Sequence, residues 1–262
     1  MRIVVCLKQV LDPEMPDSSF KVDRERRRAV PPQGIPPVVS PYDENALEAA
    51  LRLKDRHGGA VIGVSVGVRI ARAVLRKALA AGADELVLVE DPALESPDSF
   101  ATAAVLSAVI GRIGDVHLVL AGRQSADSDA GITGVGIAEE LGIPCITVAR
   151  RVDLEGGKVM VERVVSDGSE VLEASLPLVI TVDSDLGELR QTTLQGLSAA
   201  REKPVRVWTL SDLSIDSPPP PRCELLDLSI PRRGTVCEVI AGATARDAAI
   251  RLADRLHDES VL

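Results

Sequence analysis

The sequence predicts an α/β fold built around a parallel sheet, and three observations carry that prediction. Short aliphatic runs such as Ile3-Val4-Val5-Cys6-Leu7 alternate with stretches whose apolar residues recur every three to four positions. The runs are continuous in Val, Leu and Ile, as in strands buried on both faces. Hydrophobic residues are 45% of the 262 residues and aromatic ones only 2%, so the core is large and aliphatic.

The elements follow in order. Ile3 to Leu7 is the first strand. Asp43 to His57 reads as a helix, with Ala46, Leu47, Ala50 and Leu51 at helical spacing, Asp43 as a cap, and Gly58-Gly59 as the stop. Ala60 to Val66 is a strand and Arg69 to Ala81 a helix that ends at Gly82. Glu85 to Val89 is a strand, Asp98 to Gly111 an apolar helix, and His117 to Ala121 a further strand. A βαβα rhythm of this kind implies parallel strands with right-handed crossovers. Between Leu7 and the first helix, the long segment Lys8 to Tyr42 has room for a small hairpin; its charged run Arg24 to Arg28 reads as a solvated turn.

After Pro144 the rhythm changes. Ile146 to Val152, Lys158 to Val165, Glu170 to Ser175 and Leu178 to Val182 are extended, with hairpin signals at Glu155-Gly156-Gly157 and Ser166-Asp167-Gly168. They predict an antiparallel extension. The stretch Gly187 to Pro204 sets Leu194 and Leu197 beside Arg190, Arg201 and Lys203. That pattern suits docking onto an acidic partner, and it equally suits a buried helix with a solvated basic end. Pro218 to Pro221 predicts a polyproline II spacer. Beyond it, Thr244 to His257 reads as a helix opened by a Thr244/Asp247 capping box.

Composition narrows the function classes. The net charge of −9 argues against nucleic acid as a partner, although 30 basic residues leave room for a local patch. Cys6, Cys145, Cys223 and Cys237 form no C-x-x-C pair, and Cys6 and Cys145 lie in apolar runs as buried free thiols. A reducing, cytoplasmic setting is expected. His57, His117 and His257 have no metal-ligand spacing, and His117 reads as a core or edge histidine within its strand. No apolar run is long enough for a membrane span, and the chain opens on a strand rather than on a signal-peptide pattern.

The stretch Leu120 to Gly136 is the main candidate site. A buried strand runs into a polar, glycine-rich loop, and Ile137 to Pro144 then reads as a short helix. Such a junction presents backbone N–H groups and a positive helix end to an anion, here a nucleotide phosphate. The spacing matches neither the dinucleotide fingerprint nor a P-loop.

Several segments, taken together in order, resemble the beta subunit of electron transfer flavoproteins over nearly the whole length. They are Val4 to Asp12; Ser40-Pro41-Tyr42-Asp43-Glu44-Asn45 through Lys54; Ala78 to Glu85; Gly122-Arg123-Gln124 through Asp127-Ser128-Asp129 to Gly134; and Val161-Glu162-Arg163 to Thr181. The resemblance implies a Rossmann-like fold related to adenine nucleotide alpha hydrolases, with an antiparallel extension and a C-terminal arm. It implies a nucleotide-binding domain over 1–185, a partner-recognition loop and helix over 186–206, and a proline-rich linker and helical arm over 207–262 that packs on an alpha subunit. FAD would be held mainly by that alpha subunit, and AMP by this chain. The cofactor-binding positions carried over are Lys8, Gln9, Val10, Ser40, Val66, Gly67, Gly122, Arg123, Gln124, Ala126, Asp127, Asp129, Gly131, Ile132, Thr133 and Gly134. Leu194, Arg201 and Lys203 correspond to the docking loop for flavin dehydrogenases such as acyl-CoA dehydrogenases; a quinone oxidoreductase would accept the electrons. No catalytic residue, metal, nucleic acid or membrane insertion is implied, because the flavin carries the redox chemistry.

Three departures stand out. Ala130, Gly131 and Ile132 replace the usual amide and small polar residues of the loop, Ser40 replaces asparagine, and Ser166 replaces an acidic residue. Recognition by backbone is therefore favoured over recognition by side chains, and two further readings stay open. A second FAD could take the place of AMP, as in electron-bifurcating relatives. The chain could instead be an adenine-nucleotide-binding protein that carries no electrons.

Overall fold

The computed structural model describes residues 1–95, 97–217, 219–231 and 237–261. In chain order the strands and helices are β1 Arg2–Cys6, β2 Gln9–Val10, β3 Lys21–Asp23, β4 Arg28–Val30, β5 Val38–Val39, α1 Pro41–His57, β6 Ala60–Gly67, α2 Arg72–Ala81 and β7 Glu85–Glu90. Then come α3 Ser99–Ile113, β8 Leu118–Gly122, α4 Thr133–Leu141, β9 Cys145–Glu155, β10 Lys158–Val165, β11 Gly168–Ala174, β12 Leu178–Val182, α5 Leu194–Ala199, β13 Val205–Trp208 and α6 Ala245–Asp258.

Nine strands form one sheet in the order β11-β10-β9-β12-β8-β1-β6-β7-β13. Pairing is parallel from β9 through to β13, and antiparallel among β9, β10 and β11. Side chains along β1 alternate between two cores. Ile3 and Val5 join the cluster that includes Leu47, Leu51, Leu75 and Leu79 of α1 and α2. Val4 and Cys6 join the cluster that includes Val105, Val109 and Ile137 of α3 and α4. Both faces are thus covered, which is why the strands are aliphatic throughout. Each fully buried Leu or Ile contributes about 1.5–3 kcal/mol relative to exposure.

Several expectations change. Asp43 does not cap α1: the helix opens at Pro41 behind Ser40, and the Asp43 carboxylate accepts from the Lys8 and Gly122 amides instead. Leu178–Val182 is not part of an antiparallel extension: β12 inserts as a parallel strand between β8 and β9. The long strand β9 pairs with β12 at its start and turns away to pair with β10. The register shifts between Ile180 and Val182, and Val148 takes φ +60°, with its N–H donating to Thr181 Oγ1 at 3.0 Å. The helix after the glycine-rich loop opens at Thr133, not Ile137. His117 is exposed and precedes β8 rather than lying within it. Cys145 is half-buried, and burial raises its thiol to about 11.

Val205–Trp208 lacked a recognisable pattern in the sequence because it is an edge strand, with Arg206 and Val207 exposed. The Lys8 to Tyr42 segment does hold a hairpin, β3–β4, together with the small β2–β5 pair.

The chain divides into two compact units, Met1–Leu228 and Ser229–Leu262. The second contains α6, whose Thr244/Asp247 capping box is formed. Pro218 of the expected polyproline spacer lies outside the described residues.

Gly122 ends β8 against α1. A Cβ there would lie 2.6 Å from Tyr42 Cβ and 2.7 Å from the Tyr42 carbonyl carbon, so backbone would have to move. Gly122→Ala is expected to lower unfolding free energy by about 1–3 kcal/mol in a denaturant titration. Unaltered stability would show that α1 yields at this contact.

Candidate functional site

Chain order and sheet order together locate a crevice. From β1 the chain steps outward through β6 and β7, then returns to the other side of β1 as β8. The loops leaving β1 and β8 therefore diverge at their C-terminal ends. In open α/β sheets this switch point is where ligands bind. The loop after β1 brings Lys8, Gln9 and Val10 to it, and the loop after β8 brings residues 123–132.

The wall between them is the start of α1. Asp43 is buried and accepts two backbone N–H bonds, from Lys8 at 2.7 Å (Oδ2) and from Gly122 at 3.0 Å (Oδ1). Burial pushes its carboxyl up to about 7, against the pull of those two N–H bonds and of Lys8. Ser40, fully buried, donates its N–H to the Lys8 carbonyl at 2.8 Å, and its Oγ accepts from Ala126 N at 3.4 Å.

At the mouth, Lys8 Nζ donates to Asp127 Oδ1 at 2.7 Å and to Ser125 Oγ at 3.2 Å. Burial works to raise the Asp127 carboxyl, but Lys8 and Ser125 hold it below its ordinary value. Arg123 pairs with Asp183 at 2.7 Å and lies over the Tyr42 ring. Gln124 Nε2 donates to Asp129 Oδ1 at 2.8 Å, which turns that carboxylate back onto its own loop. Asp129 takes φ +49° and Gly131 φ +65°, and the chain turns there into α4.

The first helical hydrogen bond of α4 runs from Gly136 N to Ile132 O. Among the described residues, the amides of Gly131, Ile132, Thr133 and Gly134 donate to no protein group. Gly134 is also where α4 presses on β12, since a Cβ would lie 2.5 Å from Thr181 Cγ2. These free amides, the positive helix end and Lys8 fit a phosphate. Ile132, 38% exposed, adds only apolar surface.

Val66 and Gly67 reach the same edge at the end of β6. Beside them Gln9 Oε1 accepts the Ala71 N–H at 2.6 Å, below α2. Among the described residues, no group of three or more His, Cys, Asp or Glu side chains is placed to hold a metal ion.

The docking candidates lie elsewhere. Asn45, Glu48, Arg52 and Asp55 are spaced along one face of α1. Asn45 Nδ2 donates to Gly187 O at 2.7 Å, and Arg52 to Leu186 O at 2.9 Å. Glu48, its side chain 7% exposed, accepts from Arg190 N at 3.0 Å, from Arg190 Nε at 2.9 Å and from Arg52 Nε at 2.9 Å. Arg190 also reaches Asp55 at 2.7 Å. Burial opposes the Glu48 charge, yet these bonds hold its carboxyl below the ordinary range.

Beyond this anchor α5 packs beside α2, with Leu194 87% and Leu197 50% exposed. Arg201 is exposed. Lys203 is turned inward and donates to the Leu79 and Ala83 carbonyls at 2.8 and 2.6 Å, closing the end of α2. Spacing marks Asp43 only as a helix cap and Glu48 and Asp183 not at all, because buried carboxylates are identified as organisers by their partners.

Residues 31–213 match the family model described as the electron transfer flavoprotein domain. The chain belongs to the electron transfer flavoprotein beta-subunit family. It is 35% identical to the caffeyl-CoA reductase–Etf complex subunit CarD of Acetobacterium woodii, over all of both chains. It is 34% identical to the electron transfer flavoprotein subunit beta of Thermoanaerobacterium thermosaccharolyticum, again over all of both chains. Identity to FixA of Azotobacter vinelandii is 40%, over 83% of this chain and 78% of that one. Membership in the electron transfer flavoprotein family supports a role in electron transfer. No helix of the described residues is long and apolar enough to cross a membrane.

A lowered carboxyl adds stability above its ordinary value of 4.5 and loses it as pH falls. Glu48→Gln is therefore expected to cost about 1–3 kcal/mol in chemical denaturation at pH 7. The gap to wild type should close as pH drops below about 4.5. A gap independent of pH would mean that the carboxylate charge is not what holds Arg190.

Proposed function

We propose that this chain is the beta subunit of a heterodimeric electron transfer flavoprotein that receives electrons from flavin dehydrogenases and passes them to a quinone-side acceptor. FAD, bound mainly by the alpha subunit, supplies the electron-carrying chemistry. The switch-point crevice holds AMP, and that crevice is the observation that carries the reading. Gly131, Ile132, Thr133 and Gly134 present amides, and Lys8 reaches the same loop at Ser125 and Asp127. Gln9, Val10, Ser40, Val66, Gly67, Gly122 and Ala126 line the same edge. Arg123, Gln124, Asp127 and Asp129 shape the loop from outside. Aromatic residues are only 2% of the sequence, and Tyr42, Phe100 and Trp208 each carry an arginine guanidinium over one face of the ring. This agrees with the flavin ring being held by a partner.

The docking surface is α5, where Leu194 projects as an apolar anchor beside Arg201. The arm that contains α6 packs on the alpha subunit. Ala249, Ile250, Leu252 and Ala253 are exposed in the chain alone, which supports that role.

Denaturing the purified complex and weighing the released nucleotides is expected to give one FAD and one AMP. Two FAD would replace the AMP assignment with the bifurcating arrangement, and AMP without flavin would leave a nucleotide-binding protein that carries no electrons. Leu194→Ala is expected to lower kcat/KM for reduction by the dehydrogenase about tenfold or more, with FAD content unchanged. Unchanged kinetics would remove α5 as the docking element.

A further inference from the structure

The crevice is framed by a carboxylate that faces neither solvent nor ligand. Asp43 sits on the first turn of α1, and its two oxygens reach in opposite directions. One takes the amide that follows β1 and the other the amide that ends β8. These two strands are the ones whose loops diverge. Side-chain substitution cannot easily replace this bridge. Gly122 approaches so closely that a Cβ would lie 2.8 Å from Asp43 Oδ1. Ser40, three residues earlier, adds a bond from its N–H to the Lys8 carbonyl. The loop after β1 is therefore fixed through both its N–H and its C=O to one turn of α1.

We propose that Asp43 is a positioning residue for the nucleotide crevice, setting the distance between the Lys8 loop and the Gly122–Gly134 loop only while its carboxylate is ionised. The inference rests on the nucleotide reading and adds a regulation to it. A protonated carboxyl turns one of its two oxygens into a donor, and both oxygens face N–H donors. Protonation therefore makes one oxygen a poorer acceptor that must also place its proton, which weakens one side of the bridge and loosens either Lys8 or the start of the loop after β8.

The groups that act on Asp43 are few. Cys6 approaches from β1, its thiol raised by burial and by Asp43. Lys8 favours ionisation and Asp127 opposes it across the mouth. With burial dominant, the carboxyl is raised to about 7. A raised carboxyl makes the fold itself less stable as pH climbs from its ordinary value of 3.8 toward 7. In the folded protein the bridge, in contrast, forms as pH climbs through about 7, so affinity for the nucleotide rises with pH and binding expels a proton.

The test is AMP titration by calorimetry of the purified protein stripped of nucleotide, at pH 6 and pH 8, for wild type and Asp43→Asn. AMP's own phosphate, with a pKa of about 6, titrates alike in both proteins and cancels in the comparison. Wild-type affinity is expected to rise about tenfold more than that of the variant between the two pH values. The variant should bind weakly at both. Equal pH dependence, or wild-type affinity in the variant, would overturn the proposal.

Should AMP bind neither protein at either pH, the nucleotide reading fails, and amide exchange judges the bridge alone. Lys8 and Gly122 amides are expected to be protected in wild type at pH 8, and at least one of them to lose that protection at pH 6, after correction for intrinsic rates. Equal protection at both pH values would overturn the bridge. If Asp43→Asn does not fold, the wild-type Asp43 carboxyl carbon shift serves as the comparison. Its midpoint is expected to match the midpoint of AMP affinity, and a mismatch would overturn the role.

Discussion

Two backbone amides meeting one buried carboxylate hold the centre of this protein. The bonds to Asp43 join strands that are neighbours in the sheet but far apart in sequence, with α1 between them. They fix the helix against the sheet edge at its first turn. Everything on the outer face of α1 then inherits a defined position. Asn45, Glu48, Arg52 and Asp55 project from that face at helical spacing and fasten residues 186–190. The same helix thus frames the end of β1 and β8 with its first turn and carries residues 186–190 along its side.

The second link between the two regions is ionic. Arg123 opens the loop after β8, and Asp183 closes β12. The Asp183 carboxyl takes Arg123 on one side and the Asp185 N–H on the other. Burial would raise this carboxyl, but those partners keep it low and charged. From Asp183 the chain passes directly into the stretch that α1 anchors. Buried charge of this kind is tolerated because every carboxylate has several donors, and removing one partner leaves the other costly.

Much of the parallel half was legible in the sequence, because its signals are strong and local. Ile3 to Leu7 and Ala60 to Val66 are aliphatic enough to be strands in any context. The first helix was marked by its apolar spacing and by Gly58-Gly59. The placement of Leu178–Val182 was not legible: an aliphatic strand flanked by hairpins reads as antiparallel until its neighbours in the sheet are known. The start of α4 was hidden because Thr133-Gly134-Val135-Gly136 has poor helix propensity, and packing on Thr181 and α3 overrides it. In the candidate site the loop residues stood out by composition and resemblance. The inward turn of Lys203 and the anchoring of Arg190 depend on carbonyls and carboxylates from distant helices, which no local pattern encodes.

Free amides at the mouth of α4 have a consequence for how this surface can change over generations. A donor that belongs to the peptide bond survives exchange of the side chain attached to it. Positions 130 and 132 can therefore drift in size and polarity without loss of these free amides, provided the turn at Gly131 keeps its left-handed backbone. On the proposed nucleotide role, such drift would alter only the rim around the phosphate. A fixed grip on the phosphate would then stand apart from an adjustable choice of what the phosphate is attached to. New cofactor preferences can then arise in small steps on an unaltered frame.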